Sequence, residues 1–260
     1  MGSVGADSSE QEPITVLITG FAPFKKDYPV NPSWEIAHSL PEWLPPLRAK
    51  TTTTTPGRVI PTTPPVRLVV HPDPIRVNYT TVRDLVPALW YHHQQQPPQA
   101  PPKIDMALHI GMAGPRLFYA LERRGHRDGY AMPDVDGAFV REDDARRERA
   151  GEGRVWEGLP EVLESGFDVE DVLGRWRRGC PKHLDLRISE DAGHYMCDFI
   201  YFSSLAHLYK AGEERKVLFL HVPSDASERS IEVGRELVLQ LVRAMVESEM
   251  VQRGKPDETR

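Results

Sequence analysis

The alternation of short apolar runs with amphipathic stretches predicts an α/β fold, a single-domain three-layer α/β/α sandwich around a mostly parallel twisted sheet. Five apolar runs of strand length alternate with segments that have helical periodicity. The chain has 260 residues, of which 40% are hydrophobic and 27% charged, as is usual for one large globular domain. It contains no internal repeat and no second segment apolar enough to form its own core, so we expect one domain.

The predicted strands are short apolar segments that end at glycine, at polar residues or at a histidine. They span residues 14–19, 66–70, 104–110, 184–189 and 216–221. Helices are predicted at residues 33–40, 78–91, 169–178 and 193–210. A long final helix follows, and its apolar stripe consists of Val238, Leu241, Val242 and Met245.

Several segments do not follow this pattern. A disordered tail, a folded domain and a second tail are expected at residues 1–13, 14–250 and 251–260. Residues 41–65 are rich in proline and threonine, so we expect a surface insertion there. Residues 123–158 are dense in charge and glycine, which predicts a long loop with a second insertion at 138–155.

Composition excludes several classes of protein. A formal net charge of −6, with scattered lysines and arginines, argues against a nucleic-acid partner. No apolar run reaches the roughly 18–20 residues that span a bilayer, and the polar, acidic N-terminus lacks signal-peptide character. Two cysteines are too few for a disulfide framework. We therefore expect a cytoplasmic protein with free thiols and no membrane partner.

Chemically active residues follow the predicted strands. Residues 20–24 follow the first strand, and residues 111–114 follow the third, with Glu122 a little further on. Residues 189–197 follow the fourth strand and end in a cysteine, whereas the fifth strand ends in His221. Ligands of open α/β sheets bind beyond the carboxyl ends of the strands. The spacing therefore predicts that a thiol, an imidazole and a carboxylate meet at one edge.

Cys197 falls in the first turn of its predicted helix. A helix N-terminus carries partial positive charge, which can lower the pKa of a thiol and favour the nucleophilic thiolate. The alternative is that Cys197 is a small buried hydrophobe, as most free cysteines are. Cys180 lies in a turn, where we expect no catalytic role.

Two histidines compete for the role of base. His221 ends a buried strand, which holds an imidazole firmly, whereas His194 lies three residues before Cys197 and is the rival. His109 lies inside a predicted strand, so we interpret it as a core histidine with satisfied hydrogen bonds. Other histidines are expected to be solvated; they are His92, His93, His126 and His183.

Metal and phosphate sites have little support. The two cysteines do not have a ligand spacing, and no His-x-x-x-His motif occurs. The segment Gly111-Met-Ala-Gly114 lacks the remaining residues of a P-loop or a dinucleotide fingerprint. We expect neither a metal nor a cofactor.

The same segments resemble the pyroglutamyl peptidase I family, also called pyrrolidone-carboxylate peptidases, and animal-type members most of all. The resemblance runs in the right order from about residue 14 to 247. Its motifs are Thr19-Gly-Phe-Ala-Pro-Phe24 with Asn31-Pro-Ser-Trp34, Gly111-Met-Ala-Gly114 leading to Leu121-Glu122-Arg123, Ile188-Ser-Glu-Asp-Ala-Gly-His-Tyr-Met-Cys-Asp198, and Phe219-Leu-His-Val-Pro223.

The resemblance implies a cofactor-free cysteine peptidase that removes N-terminal pyroglutamate from small peptides. It implies that Cys197 is the nucleophile, His221 the base and Glu122 the carboxylate that orients the base, with a thioester acyl-enzyme as intermediate. It further implies a small apolar pocket for the pyrrolidone ring. By motif position the lining residues are Phe21, Phe24, Tyr195 and Met196.

Two departures from the family pattern keep other functions open. Met112 stands where bacterial members often have glutamine, and Arg76 stands where many members have proline beside a pocket residue, so the resemblance does not imply that Val77 is a pocket wall. One alternative is a catalytically silent relative that only binds peptides. Another is a related thiol hydrolase that acts on a different small N-terminal cap or an amide. The sequence also leaves homo-oligomerisation open.

Overall fold

The computed structural model describes residues 12–24, 26–46, 63–90, 103–114, 116–153 and 155–254. Its strands are β1 (Ile14–Thr19), β2 (Val66–Val70), β3 (Met106–Met112), β4 (Tyr119–Glu122), β5 (Arg124–His126), β6 (Val162–Glu164), β7 (Leu186–Ser189) and β8 (Val217–Val222). Its helices are α1 (Pro32–His38), α2 (Tyr79–Leu89), α3 (Val140–Arg149), α4 (Val169–Gly179), α5 (Met196–Ala211) and α6 (Glu228–Arg253).

Six strands form one mixed sheet in the order β2-β1-β3-β8-β4-β7. The strands β1, β2, β3 and β8 are parallel to one another. Strand β4 pairs antiparallel with β8 and parallel with β7, so β4 and β7 run opposite to the other four. The remaining strands, β5 and β6, form a separate antiparallel pair.

Helices cover both faces of the sheet. On one face, α1, α4 and α6 pack in a cluster with Trp176 and the apolar side chains of β1, β3 and β8. On the other face, α2 and α5 pack together, and Tyr79, Phe199 and Phe219 belong to their cluster. Both clusters consist of closely buried side chains, which supply most of the hydrophobic stabilisation. The predicted three-layer α/β/α architecture is confirmed.

Helix boundaries follow from local capping. The side chain of Asn31 accepts a hydrogen bond from the backbone of Ser33, and Pro32 is the first residue of α1. Asn78 caps α2 in the same way, through Thr81. Strand β3 spans Met106–Met112, so it begins and ends two residues later than the predicted range of 104–110. The other predicted strands agree with the structure to within two residues.

The prediction of a long loop at 123–158 is wrong, because this segment contains β5 and α3. Apart from its first residue, Val140, α3 has almost no apolar side chains, so hydrophobic periodicity gave no signal. Polar contacts stabilise α3 instead. At its start, the backbone N–H of Phe139 donates a hydrogen bond to Glu142 (3.1 Å). Within the helix, Asp143 forms an ion pair with the buried Arg83 of α2 (2.8 Å).

The structure also bears on the predicted insertion at residues 41–65 and on the two predicted tails. The insertion at 41–65 begins with chain that pairs beside β2, since Leu44 donates to the carbonyl of Val66 and Leu68 donates to that of Glu42. Helix α6 continues to Arg253, so no tail begins at residue 251. The expected N-terminal tail and the rest of the insertion fall largely on residues 1–11 and 47–62, outside the described residues. Among the helices that the structure describes, none has the length and hydropathy needed to cross a membrane.

Candidate active site

A buried imidazole and a buried carboxylate meet on neighbouring strands. His221 Nδ1 lies 2.7 Å from Glu122 Oε1, and the two side chains are 4% and 0% exposed. The contact follows from register: β4 is antiparallel to β8, and Glu122 lies opposite Phe219, two residues before His221. Side chains at opposed positions and at every second residue share a face. With a proton on Nδ1, the ring donates to the carboxylate and its Nε2 remains free to accept a proton.

Cys197 lies over the same face of the sheet. It is the second residue of α5, directly after Met196, and is half-buried. A Cβ built on Gly111 would come within 2.8 Å of the Cys197 sulfur, and Gly111 is the direct neighbour of His221 in the β3–β8 pair. Only glycine at this position leaves room for the sulfur. Within the described residues no hydrogen bond joins the thiol to the imidazole; such contacts often tighten only when substrate binds.

The thiol does not have the lowered pKa expected from its helix position. Burial, with smaller contributions from the charges of Glu122 and Asp198, raises the pKa of Cys197 to about 12. Desolvation disfavours the thiolate, and the charge of Arg116 offsets only part of this effect. The resting side chain is therefore a neutral thiol at pH 7, and a base must take its proton during attack.

A small apolar cavity opens beside the sulfur. It encloses about 220 Å³ of space not filled by protein atoms, part of which is open to solvent. All four residues expected at a ring pocket line it: Phe21, Phe24, Tyr195 and Met196. Asn31, Val77 and Met112 complete the wall together with Cys197. The expected pocket residues thus come together around the Cys197 sulfur.

Arg76, where the sequence departs from the family pattern, does not disturb the cavity wall. Its guanidinium pairs with Asp136, while the neighbouring Val77 is buried and lines the cavity. Asp136 belongs to the loop between β5 and α3, where Asp134 also accepts from the Asn78 side chain (2.8 Å). The Tyr195 hydroxyl donates to the backbone of the same loop, at Pro133 (3.2 Å). The arginine thus fastens a loop at the edge of the cavity.

Two residues near the carboxylate were not found from the sequence. Arg116 Nη1 lies 3.4 Å from Glu122 Oε1, which also receives the His221 contact. The hydroxyl of Tyr201 in α5 donates to the backbone carbonyl of Glu122 (2.9 Å). Glu122 is the last residue of β4, a strand that is too short to give a periodic signal.

The rival base lies in a different cluster. His194 Nδ1 is 3.0 Å from the backbone carbonyl of Asp128, and its ring stacks near that of His126. His126 was expected to be solvated; it is instead partly buried and contacts the carboxylate of Asp198 (3.3 Å). His109 is a core histidine as expected: its nitrogens contact hydroxyls on Thr19 and Ser204, and burial lowers its pKa to about 3.

Cys180, at the end of α4, is buried in the core on the other face of the sheet. Burial raises its pKa to about 11. It lines neither the cavity nor the histidine–carboxylate contact.

An α/β sheet with a thiol, an imidazole and a buried carboxylate beside an apolar cavity has the layout of a thiol hydrolase. Comparison with known proteins narrows this class. The chain is 32% identical to pyroglutamyl-peptidase 1 of Rattus norvegicus over 216 residues, which are 82% of this chain and 81% of the relative. It is 30% identical to human pyroglutamyl-peptidase 1 with the same coverage, and 26% identical to a pyrrolidone-carboxylate peptidase of Thermococcus onnurineus over 80% of this chain and 82% of that protein.

Solved structures agree on the fold. A mutant pyrrolidone carboxyl peptidase of Pyrococcus furiosus superposes with a TM-score of 0.61 at 19% identity, covering 92% of this chain and all of that one. The enzyme of Thermus thermophilus superposes with a TM-score of 0.56 at 25% identity, covering 90% of this chain and 99% of the other. No family model matches the sequence. The chain belongs to the pyroglutamyl-peptidase I family of cysteine peptidases.

Proposed function

We propose that this protein removes N-terminal pyroglutamate from small peptides, with Cys197 as nucleophile, His221 as base and Glu122 as the orienting carboxylate. One observation carries the proposal: the 2.7 Å contact of His221 with Glu122 lies on the sheet face above which the Cys197 sulfur borders an apolar cavity. The family relationship supports the substrate, since the relatives are named for pyroglutamyl peptides.

The first step is attack by sulfur on the carbonyl that links pyroglutamate to the next residue. Because burial raises the pKa of Cys197 to about 12, the thiol proton must leave as the carbon–sulfur bond forms. His221 accepts it on Nε2, and its Nδ1–H is held by Glu122. The buried carboxylate then stabilises the imidazolium, as in other triads. Arg116, 3.4 Å from the same carboxylate oxygen, offsets part of its buried charge.

The tetrahedral oxyanion needs hydrogen-bond donors, and the start of α5 supplies them. The first N–H groups of a helix have no partner within the helix, and they point out of its N-terminus with partial positive charge. Met196 and Cys197 are the first two residues of α5. His221 next gives its proton to the leaving amine, which leaves a thioester on Cys197. Water, deprotonated by His221, hydrolyses this acyl-enzyme.

The cavity explains the choice of a cyclised N-terminus. Its wall is aromatic and aliphatic, with Phe21, Phe24 and Met112 among the lining residues. A lactam ring buries its carbon atoms there, whereas a free α-ammonium would lose its hydration with no carboxylate among the lining residues to replace it. Specificity thus arises from shape and from the cost of burying a charge. The two free cysteines are in keeping with a reducing, cytoplasmic setting.

The test is hydrolysis of a pyroglutamyl-fluorophore amide, in the presence of reductant, by the wild type and by Cys197→Ala. We expect turnover by the wild type and a loss of at least about 10³-fold in the variant. Prolyl and glutaminyl amides are matched controls. The prolyl amide keeps the five-membered ring but lacks the lactam carbonyl, and the glutaminyl amide is the open-chain form without the ring. Turnover that survives Cys197→Ala would refute the mechanism. Turnover of a different amide, without turnover of the pyroglutamyl amide, would instead support a related thiol hydrolase. If the wild type hydrolysed no amide, the result would support a catalytically silent relative.

A further inference from the structure

Two imidazoles and a carboxylate converge next to the nucleophile, on residues that the peptidase mechanism does not use. They come from His126, His194 and Asp198, and one ligand atom from each lies within 4.8 Å of the other two. His126 Nδ1 is 3.3 Å from Asp198 Oδ1, and His194 Nδ1 is 3.9 Å from Asp198 Oδ2. His126 is far in sequence from the other two residues, and the start of α5 lies between His194 and Asp198. The sequence therefore contains no ligand-spacing motif that would predict the cluster.

We propose that this His126–His194–Asp198 cluster binds a divalent transition metal ion of the zinc type. Tetrahedral zinc has bonds of about 2.0 Å to nitrogen and oxygen, which places its ligand atoms roughly 3.3 Å apart. The His126–Asp198 distance already has this value, and the His194 distance exceeds it by less than 1 Å. Imidazole ligands favour zinc-type ions over magnesium or calcium, which prefer oxygen.

The surroundings hold the carboxylate in place. The Asp198 side chain is fully buried, accepts from the backbone N–H of His126 (3.2 Å) and accepts from the hydroxyl of Tyr130 (2.9 Å). Outer hydrogen bonds of this kind orient metal ligands and are part of most metal sites. Each carboxylate oxygen keeps a second lone pair, so these contacts leave Asp198 able to coordinate a cation.

His194 is held over the cluster by an uncommon backbone conformation. Its φ is +42°, in the left-handed region that non-glycine residues seldom adopt. Gly129, itself at φ +99°, allows the close approach, since a Cβ there would lie 2.7 Å from His194 Nδ1. When Nδ1 binds a metal, the ring proton moves to Nε2, which faces Asp191 Oδ1 at 3.9 Å.

Access is sufficient for an ion to enter. The His194 side chain is 41% exposed and that of His126 is 19% exposed, while the carboxylate forms the floor. Three protein ligands leave a fourth position, which water or the carbonyl of Asp128, now 3.0 Å from His194 Nδ1, can fill. A bound ion would join the chain just before α5 to the loop that follows β5.

The experiment titrates metal-free protein with zinc chloride by isothermal titration calorimetry. It uses Cys197→Ser as the parent, because a catalytic thiol can bind zinc by itself. We expect this parent to bind one zinc ion and to gain thermal stability with zinc, as linkage requires. His194→Asn tolerates a positive φ but lacks the imidazole, and Asp198→Asn keeps the shape but lacks the charge. In the Cys197→Ser background, each should weaken zinc binding at least about tenfold.

The matched control removes a pair of exposed imidazoles outside the cluster, with His38→Ala and His183→Ala together, and should leave zinc affinity unchanged. Magnesium chloride should not compete. Absence of zinc binding by Cys197→Ser, or unchanged affinity in both His194→Asn and Asp198→Asn, would overturn the proposal. Loss of affinity in the His38→Ala/His183→Ala control would also overturn it. Because the readout is binding by a variant without the nucleophile, the result is independent of the proposed peptidase activity.

Discussion

Two histidine–carboxylate pairs flank the first turn of α5, and they are built from different parts of the fold. His221 and Glu122 lie on adjacent strands of the main sheet, 2.7 Å apart, with 4% and 0% exposure. His126 and Asp198 join the small β5–β6 sheet to the helix, 3.3 Å apart, with 19% and 0% exposure. The first pair is closed to solvent, whereas the histidine of the second is partly exposed and has His194 as a further neighbour.

Pairing with a carboxylate therefore does not by itself make a histidine a catalytic base. What distinguishes His221, the base that we propose, is the register that sets it beside Gly111, over which the sulfur of Cys197 lies. A strand also restricts the imidazole more than the loop around His194 does, and catalytic geometry tolerates little displacement. The first two predictions below use this contrast, since each compares a change in one pair with the corresponding change in the other.

The largest effect should come from the bases themselves. We expect His221→Ala to lower kcat/KM for a pyroglutamyl amide at least about 10³-fold, because the neutral thiol of Cys197 then has no proton acceptor. His126→Ala and His194→Ala should each lower it less than about tenfold. Steady-state kinetics of the three variants checks this. A larger loss in His194→Ala than in His221→Ala would transfer the role of base to the rival histidine.

The carboxylates give the next contrast. Glu122→Gln keeps the side-chain volume but removes the charge that stabilises imidazolium, so we expect a loss of about 10² to 10³-fold in kcat. The matched variant is Asp198→Asn, which removes a buried charge directly after the proposed nucleophile and should lower kcat less than about tenfold. Circular dichroism melts of both variants show whether the fold survives. If Glu122→Gln and Asp198→Asn lowered kcat by similar factors, any buried negative charge near Cys197 would support activity. The specific contact of Glu122 with His221 would then not explain the loss.

The sequence predicted the half of the site that lies on regular elements. Strands β1 and β8 are strongly apolar, so their ends, and with them Phe21 and His221, could be located from hydrophobic pattern alone. The helical start around Cys197 was equally visible. The prediction that all strands deliver their residues to one edge is only partly correct, because β7 runs opposite to β8 and ends level with Phe219.

The other half could not be predicted because its signals are not hydrophobic. Glu122 lies in a four-residue strand whose antiparallel direction no local pattern encodes. Helix α3 is held by ion pairs around Asp143, and the contact of Arg116 with Glu122 depends on the path of the residues that precede β4, which no hydrophobic pattern encodes. The pKa of Cys197 was also predicted in the wrong direction, since burial is a property of the packed fold and not of helix position.

A substitution at Gly111, below the Cys197 sulfur, should lower activity less than the changes above. A control substitution at a glycine away from the site should not lower activity. Gly111→Ala brings a methyl group within 2.8 Å of the Cys197 sulfur and 2.6 Å of the Phe219 ring, so both must shift. We expect kcat/KM to fall about 10- to 100-fold through misplacement of the nucleophile. The control is Gly174→Ala in α4, whose added methyl meets only Arg178 Nη1 at 3.7 Å. That variant should keep full activity and gain about 0.5–1 kcal/mol in stability. Unchanged kinetics in Gly111→Ala would show that the thiol is not confined as described.

The smallest effect concerns a buried carboxylate that meets arginines and no histidine. Burial alone would raise the pKa of Asp143, but hydrogen bonds from Arg146, Arg83 and Arg147 hold it well below its usual range. A carboxyl group with a lowered pKa stabilises the fold when ionised, and this stabilisation is lost as the pH falls below about 4, the usual value. We expect Asp143→Asn to lower the free energy of unfolding by about 2 kcal/mol at pH 7, with activity retained. Urea titrations should show the difference from the wild type shrinking steadily below pH 4. A difference that is the same at pH 3 and pH 7 would mean that shape, and not charge, explains the contribution of Asp143 to the packing of α3 on α2.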